Sequence, residues 1–469
     1  MIIWTSFTPF EYVNYKGIRT LKFPCALALL LAVMSCTDNN TPESINKPLN
    51  VIVIMADDLG YETIGAYDGE SYQTPEIDRM AANGMRFEHC YAQPLCTPSR
   101  VKLMTGIYNV RNYVRFGLLD RSQTTFGHLF KNAGYNTCII GKWQLGKDPG
   151  SPQSAGFDKH CLWQVREGRV DSMGRDTRYS KPVLEVDGNL ITYVDTDYGP
   201  EIVSDYGLDF IEKSHQDGKP FLLYYPMILT HCPFSPTPDS PEWIKDDTTI
   251  LTYKGQAHYF EDMVLEMDKI VGKINLKLEE LGIKSNTLVV FTGDNGTDEP
   301  IVSLVNEKEI AGAKGQSTDA GTRVPLIIQW PEVIKANSIS TDLIDFSDFL
   351  PTICEAANIE VLDSLDIDGR SFFPQLLGEK GHPREWVYSW YSRSGEVSKA
   401  RVFAKNHRYK LYESGEFYEI PKDYEELNPL EFEELDSDAK GVYQTLNNVL
   451  DHYGERRLDK IPYSKRAGK

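Results

Sequence analysis

Short apolar runs rich in β-branched residues constrain this chain more than any other feature. The first of them, at residues 50–55, reads NVIVIM. Such a run predicts a strand that is buried on both faces, as in a parallel sheet covered by helices. Further runs of the same kind lie at residues 137–140, 221–225, 287–292 and 326–329.

Helical patterns separate these runs, at residues 76–84, 98–105, 126–134, 201–214, 253–281 and 345–357. Strands that alternate with helices predict an α/β fold, with a large, mostly parallel sheet sandwiched by helices. After residue 384 the pattern changes to short aromatic-rich runs and a final helix, near residues 437–453, which predicts a small antiparallel sheet plus helix. We therefore expect a large α/β domain, which would be the catalytic one, at residues 49–383 and a C-terminal α+β subdomain at residues 384–469.

Residues 1–35 have the composition of an export signal. Three cations precede an apolar run at residues 23–34, which is too short to span a bilayer, since spanning takes about 20 residues. The run ends in Val33-Met34-Ser35-Cys36, which resembles a bacterial lipobox and would place a lipid on Cys36. Residues 36–48 then form a polar tether. We expect an exported bacterial lipoprotein, periplasmic or associated with the outer membrane; the alternative is a plain signal peptide cut nearby.

The charge of the chain limits its partners. The formal net charge is −19, which excludes nucleic acid, because phosphate backbones need a basic face. A polyanionic substrate would need a locally positive pocket on this acidic body. The cysteines beyond Cys36 show neither the spacing of a disulfide framework nor that of a zinc site.

Acidic and amide side chains follow two of the predicted strands. Asp57 and Asp58 come directly after the first run, and Asp294 and Asn295 follow the run at residues 287–292. Loops at the carboxyl ends of strands form the ligand crevice in open α/β sheets. Alone, each motif is typical of a turn or a helix cap. Together they favour a site for a hard cation, calcium better than zinc.

A cysteine precedes another predicted helix. Thr97 is expected to be the N-cap and Pro98 the first helical residue. Cys96 then lies where backbone N–H groups attract an anion, and Arg100, one turn later, can bind a tetrahedral oxyanion. A soft thiolate matches a hard cation poorly, which indicates that Cys96 is not used as cysteine.

These features together resemble a type I sulfatase of the alkaline-phosphatase superfamily, from about residue 50 to the C-terminal sheet. Residues 96–100 (CTPSR) match the signature C-x-P-x-R, and residues 105–106, 141–143, 313–315 and 323–325 match further blocks. The resemblance implies that a formylglycine-generating or radical maturase enzyme oxidises Cys96 to formylglycine. The residues implied to hold calcium are Asp57, Asp58, Cys96, Asp294 and Asn295. Those implied to act on the sulfate ester are Arg100, Lys142 and Lys314, as partners of its oxygens, and His231, as the acid that protonates the leaving alcohol.

One position departs from the family pattern. The block that usually reads Gly-Lys-Trp-His-Leu-Gly has Gln144 in place of its histidine. Glutamine can hydrogen-bond the hydroxyl group at this place but cannot take its proton at neutral pH. Another base acts, or release of sulfate is slower, or the chain is impaired; we expect an active enzyme.

Positive charge and aromatic rings mark a substrate loop at residues 163–181. Its candidate sugar-binding residues are Arg166, Arg169, Arg175 and Arg178, and His382 and Arg393 are candidates near the C-terminal sheet. The alternative is a solvated loop with local ion pairs. The leading prediction is a sulfatase acting on a sulfated carbohydrate. The competing predictions are a phosphonate or phosphodiester hydrolase of the same superfamily and a non-catalytic glycan-binding homologue.

Overall fold

Strands and helices alternate along most of the chain. The computed structural model describes residues 48–172, 174–194, 197–243 and 253–457, so the predicted signal and residues 36–47 of the predicted tether lie outside the described residues. The strands are β1 Asn50–Ala56, β2 Met85–Tyr91, β3 Asn136–Lys142, β4 Lys159–Trp163, β5 Val183–Val186, β6 Asn189–Thr192, β7 Phe221–Pro226, β8 Thr287–Gly293, β9 Val302–Val305, β10 Lys308–Ala311, β11 Arg323–Val324, β12 Leu326–Gln329, β13 Ser338–Asp345, β14 Val387–Tyr391, β15 Arg401–Lys405, β16 Tyr409–Tyr412 and β17 Phe417–Glu419. The helices are α1 Pro75–Ala82, α2 Cys96–Thr105, α3 Asn109–Asn112, α4 Phe126–Asn132, α5 Gly199–Gln216, α6 Phe260–Glu280, α7 Asp319–Thr322, α8 Phe349–Ala356, α9 Phe373–Leu376 and α10 Ser437–Gly454.

The central sheet has a parallel middle and antiparallel edges. Its strand order is β11-β2-β12-β8-β1-β7-β3-β4-β5-β6, and β13 also pairs with β2. Neighbours from β8 through β1, β7 and β3 to β4 run parallel, whereas β12, β5 and β6 pair antiparallel. The carboxyl ends of the parallel strands therefore all point to the same end of the sheet, where the loops that follow these strands form a crevice.

Alternate residues of β1 pack into two separate cores. Val51 and Val53 belong to a core shared with α2, α4 and α8, and Ile52 and Ile54 belong to one shared with α1, α5 and α6. All four side chains are fully buried, which removes their apolar surface from water on both faces of the sheet. The predicted fold class, a mostly parallel sheet sandwiched by helices, is confirmed.

The C-terminal sheet is a separate antiparallel sheet in the order β14-β15-β16-β17, and α10 packs against it, as predicted. Helix α2 is fastened to this region by a buried cation. Lys102 Nζ lies 2.7 Å from Asp345 Oδ2 and donates to the Tyr388 carbonyl over 2.9 Å. The boundary between residues 383 and 384 stays a prediction.

Two predicted elements differ from the structure. Strand β12 (Leu326–Gln329) is antiparallel to both its neighbours, whereas the sequence placed it in a parallel sheet. Burial on both faces makes a run apolar whichever way the strand points, so the pattern does not give the direction of the strand. The helix predicted at residues 253–281 begins as α6 at Phe260, since Gly255 has a φ of 69° and Gln256 is extended. No helix among the described residues combines the length and apolarity that crossing a membrane requires.

Candidate active site

Two adjacent strand ends bring together four oxygen-bearing side chains. β1 and β8 are paired in parallel to their last residues, so Asp57 and Asp58 emerge beside Asp294 and Asn295. The Asp58 backbone N–H donates to Asp294 Oδ1 over 3.0 Å, and Asn295 Nδ2 donates to Asp58 Oδ1 over 2.8 Å. Each of the four residues is at most 1% exposed. Strand pairing thus assembles the predicted oxygen ligands in a buried cluster.

Cys96 begins helix α2 and faces this cluster. Its Sγ and carboxylate oxygens of Asp57 and Asp294 lie within 4.8 Å of one another. The prediction that Thr97 is the N-cap is wrong: the extended residue Leu95 takes that position, so Pro98 is the third helical residue. Thr97 Oγ1 instead accepts the Gly117 N–H over 3.2 Å, so it is engaged outside the helix.

A close approach of two strands places Lys142 at the cluster. Gly141 has a φ of 99°, and a Cβ on it would lie 2.0 Å from the Pro226 carbonyl oxygen, so a larger residue would force β3 away from β7. Lys142 follows at the end of β3, and its Nζ lies 2.5 Å from Asp57 Oδ2. This pair is almost fully buried.

Gln144 contacts both Cys96 and Arg100. Its Oε1 lies 3.3 Å from Cys96 Sγ and also accepts from Arg100 Nη2 over 3.3 Å. Arg100 Nε donates to the Cys96 carbonyl over 3.3 Å. The glutamine therefore occupies the place from which a base would act on a nucleophile at residue 96, but a carboxamide has no proton to exchange at neutral pH.

Cations surround the imidazole of His231. Arg178 Nη1 lies 2.8 Å from Nδ1, and Lys314 Nζ lies 3.0 Å from Nε2. Lys314 also forms an ion pair with Asp58. Burial, with Lys314, Lys142 and Arg178, lowers the pKa of His231 well below its usual range. An anion bound among these cations would oppose that shift and favour the protonated ring.

The pKa values of the three carboxyl groups, those of Asp57, Asp58 and Asp294, are shifted to different extents. Burial raises the pKa of Asp57, but Lys142 with Lys314 and Arg100 outweighs it, so the net pKa is lowered. Burial raises the pKa of Asp58 to about 6. Burial and the neighbouring Asp57 and Asp58 raise the pKa of Asp294 well above its usual range. Of the three carboxyl groups, Asp294 therefore has the strongest tendency to hold a proton.

The donor atoms fit a divalent cation. Asp57 Oδ1 and Asn295 Oδ1 are buried and accept no hydrogen bond from any described residue. A buried oxygen without a partner is costly, and a metal ion removes that cost. A carboxylate oxygen of Asp58 and a ring nitrogen of His231 also lie within 4.8 Å of a carboxylate oxygen of Asp57. Carboxylate and amide oxygens make this set suitable for a hard cation.

A cavity of about 350 Å³ opens above Cys96. Five of the described residues that line it are cations, and none is acidic: they are Lys142, Arg169, Arg178, Lys314 and Arg393. His231, Gln144 and Cys96 also line it. The cavity is therefore the locally positive pocket that a polyanionic substrate requires on this acidic chain.

The structure places some of the predicted sugar-binding residues at the cavity and the others elsewhere. Arg169 and Arg393 lie at the cavity, each over an aromatic ring: Tyr253 at 4.2 Å and Phe116 at 5.1 Å. Arg178 also lines the cavity but is fully buried. Its Nε donates to Asp176 Oδ1 over 2.8 Å, and its Nη1 contacts His231 Nδ1.

The other three predicted sugar-binding residues lie elsewhere. Arg166 is paired with Glu185 at 2.6 Å and lines a neighbouring groove. Arg175 is paired with Asp171 at 2.9 Å, and His382 is exposed; neither is among the described residues that line the cavity or the groove.

Sequence reasoning placed Trp163 and Gln164 in the substrate loop but missed strand β4, which Trp163 ends and Gln164 follows, because its sequence, KHCLW, is short and mixed. The rule that strand ends carry function would have marked both as cavity residues once β4 was known. Two further residues that line the cavity were missed altogether. Phe116 and Tyr253 lie in loops, and no local pattern marks them.

Known proteins match the chain over most of its length. The sulfatase family model matches residues 49–359, and the model of the N-sulphoglucosamine sulphohydrolase C-terminal region matches residues 314–455. Arylsulfatase G of Mus musculus is 29% identical over 413 residues, which cover 78% of this chain and 76% of that protein. N-acetylgalactosamine-6-sulfatase of Rattus norvegicus is 30% identical over 375 residues, which cover 72% and 67%. A structure solved in complex with its substrate, D-glucosamine-2-N,6-O-disulfate, is 23% identical with a TM-score of 0.72, over 89% of this chain and 100% of that one.

The chain therefore belongs to the sulfatase family. It is a type I sulfatase of the alkaline-phosphatase superfamily, as its sequence predicted, and its enzyme class is sulfuric ester hydrolase. Its architecture, a mostly parallel sheet with a small C-terminal antiparallel sheet, is that of a solved sulfatase.

The charge crowding at Asp294 gives a testable prediction. We expect Asp294→Asn to raise the melting temperature of the metal-free protein, by about 1 °C for each kcal/mol of relieved repulsion. Calcium should raise the melting temperature of the parent, and the same change should abolish this rise if Asp294 is one of the ligands. The measurement is thermal unfolding in chelator and in excess calcium.

Asp209→Asn, on the exposed side of α5, is the matched control and should retain the calcium response. An Asp294→Asn protein that melts below the parent in chelator would contradict the crowding, and one that keeps the calcium response would exclude Asp294 as a ligand.

Proposed function

We propose that this enzyme hydrolyses sulfate esters on a carbohydrate, using a formylglycine hydrate made from Cys96 and a bound calcium ion. The observation that carries the proposal is the cavity above Cys96, in which every charged side chain among the described lining residues is cationic. The sulfate group is anionic, whereas the chain as a whole has a formal charge of −19, so the cavity supplies the attraction that the surface lacks.

Residues of the chain have distinct roles in this proposal. Asp57, Asp58, Asp294 and Asn295, with the oxidised residue 96, would hold calcium, which would supply positive charge next to the sulfate oxygens. Formylglycine would supply the hydroxyl nucleophile that a thiol does not offer. Lys142, Lys314 and Arg100 neutralise negative charge on the sulfate group, an electrostatic role that burial strengthens.

Proton transfer falls to His231. A sugar alkoxide is a poor leaving group, so it needs a proton from a positioned acid. His231 lines the cavity with its Nε2 next to Lys314, where a bound sulfate would raise the pKa of the ring. Gln144 holds the nucleophile by a hydrogen bond but supplies no base.

The substrate class rests on the relatives. Two of them are named for sugar or aryl sulfates, and a protein of the same fold was solved with a disulfated glucosamine as its substrate. The proposed partners are a sulfated carbohydrate and the maturase that oxidises Cys96.

The test begins with the peptide that contains Cys96. In a host that carries a maturase, mass spectrometry should find this peptide at the lower mass of formylglycine. The converted protein should release sulfate from 4-nitrophenyl sulfate and from sulfated sugars, and Cys96→Ala should release none. A phosphate diester assayed in parallel should be a much poorer substrate. Converted protein that releases no sulfate from a broad panel of sulfated glycans would overturn the proposal.

The role of His231 predicts a dependence on the leaving group. His231→Ala should lower kcat/KM for a sugar sulfate by about 10²–10⁴-fold, the usual contribution of general acid catalysis. The loss should be much smaller for 4-nitrophenyl sulfate, because nitrophenolate leaves without a proton. His215→Ala, on the exposed surface of α5, is the control and should change neither rate. Equal losses on both substrates would exclude His231 as the leaving-group acid.

We also propose that the enzyme is exported and anchored by a lipid on Cys36, in the periplasm or at the outer membrane. The support is the lipobox-like sequence Val33-Met34-Ser35-Cys36 after a short apolar run. Metabolic labelling with a fatty acid should mark the full-length chain in a bacterial host, and Cys36→Ser should abolish the label. A labelled Cys36→Ser protein, or an unlabelled parent, would contradict the anchor.

A further inference from the structure

Two loops that meet at the cavity above Cys96 each supply one of its lining residues. The first loop, residues 113–117, follows α3 and carries Phe116; the second, residues 392–395, follows β14 and carries Arg393. The Phe116 N–H donates to the Arg393 carbonyl over 3.0 Å, and the Arg393 guanidinium lies 5.1 Å from the centroid of the Phe116 ring. The two residues therefore reach the cavity as one unit, although they are far apart in the chain.

Backbone contacts between the loops set the position of Arg393. A Cβ on Gly395, which has a φ of 78°, would lie 1.8 Å from the Val114 carbonyl oxygen, so the loops approach each other more closely than a side chain would allow. The Tyr113 hydroxyl donates to the Arg393 carbonyl over 3.2 Å. The Arg393 side chain itself is exposed and has many rotamers, so its place at the cavity depends on the backbone that carries it.

Arg457, near the end of the described chain, bridges the two loops. Its Nη2 donates to the Gly395 carbonyl over 2.8 Å, and its Nη1 donates to the Val110 carbonyl in α3 over 2.9 Å. Longer contacts reach the carbonyls of Asn109 at 3.2 Å and Tyr113 at 3.4 Å. A planar guanidinium with several N–H donors can hold both sides of this contact at once, which one ammonium group cannot.

The partners of Arg457 are those of a cross-link between backbone segments. Every acceptor described for its side chain is a backbone carbonyl, and its buried Nε–H has no partner among the described residues. Its guanidinium lies 4.0 Å from the centroid of the Trp390 ring, which offsets part of the cost of desolvation. Trp390 belongs to β14, the strand that leads into the loop of Arg393. The side chain is therefore placed to fix where that loop begins and ends.

We propose that Arg457 is a positioning residue for the substrate: by joining the two loops, it keeps Arg393 and Phe116 at the cavity above Cys96. This inference rests on the proposed function, in which the cations of the cavity bind an anionic substrate. Arg457 is not among the described residues that line the cavity, so it acts on substrate affinity through Arg393 and leaves the chemical step unchanged.

Hydrogen exchange tests the bridge first, on protein that still carries Cys96, so that the result does not depend on turnover. In Arg457→Met, peptides that cover residues 113–117 and 392–395 should exchange about fivefold faster, as for one lost hydrogen bond. Peptides from α4 should exchange at the rate of the parent, because Arg457 does not contact that helix. Arg456→Gln, which changes the neighbouring exposed arginine, is the matched control and should alter neither rate.

Kinetics then test whether the bridge acts through Arg393. On 4-nitrophenyl sulfate, Arg457→Met should raise KM about fivefold and change kcat less than about twofold, because it weakens binding alone. Arg393→Gln should have the same effect, and adding Arg457→Met to it should raise KM no further. Arg457→Lys should behave like Arg457→Met, because it keeps the charge but cannot donate to both loops. Arg456→Gln should leave both constants at the values of the parent.

The outcomes separate the two proposals. Exchange that Arg457→Met leaves unchanged, KM effects that multiply in the Arg393→Gln/Arg457→Met protein, or a KM that Arg457→Lys restores would each overturn the positioning role, even if aryl sulfate is hydrolysed. Faster exchange of both loops, in a protein whose converted parent releases no sulfate, would support the bridge and overturn the proposed hydrolysis.

Discussion

The parallel pairing of β1 with β8 is the contact on which the site depends. It brings Asp58 and Asp294, 236 residues apart in the chain, into a hydrogen bond. The strands are held by apolar burial on both faces, so the large hydrophobic free energy of the two cores fixes the position of a small polar cluster. A site built on such strands is rigid, which suits a metal and an attacking nucleophile that need accurate placement.

Charge balance explains the arrangement around that contact. Burial, with the neighbouring Asp57 and Asp58, raises the pKa of Asp294, whereas Lys142, Lys314 and Arg100 bring the pKa of Asp57 below its usual value. The unpartnered oxygens of Asp57 and Asn295 lie in the same cluster. The cavity next to Cys96 is lined by cations, and two of them, Lys142 and Lys314, pair with Asp57 and Asp58 of the cluster. Cys96 therefore lies where an acidic cluster that attracts a cation meets a cationic cavity that attracts an anion.

Much of this site was predictable, and for a physical reason. Side chains that follow buried apolar runs lie where the strands of a parallel sheet end, so the sequence alone predicts that Asp57 and Asp294 lie together there. The direction of β12 was not predictable, because burial makes a run apolar in either direction. Thr97 was misplaced as a helix cap because its hydroxyl group is used by the distant Gly117 N–H. In the sequence, Arg178 was one of several cations in the predicted substrate loop. In the structure it is buried against His231, because Asp176 and Trp163 hold it there.

The sequence by itself determined the class of fold, the sulfatase family and the identity of the residues around Cys96, because these depend on local patterns and short motifs. Only the tertiary structure decided which cations face the cavity, that Gln144 contacts both Cys96 and Arg100, and that Arg457 bridges the loops of Phe116 and Arg393. Those facts depend on which loops become neighbours. Neighbouring loops are set by the order of the strands in the sheet, and strand order depends on contacts between residues far apart in the chain.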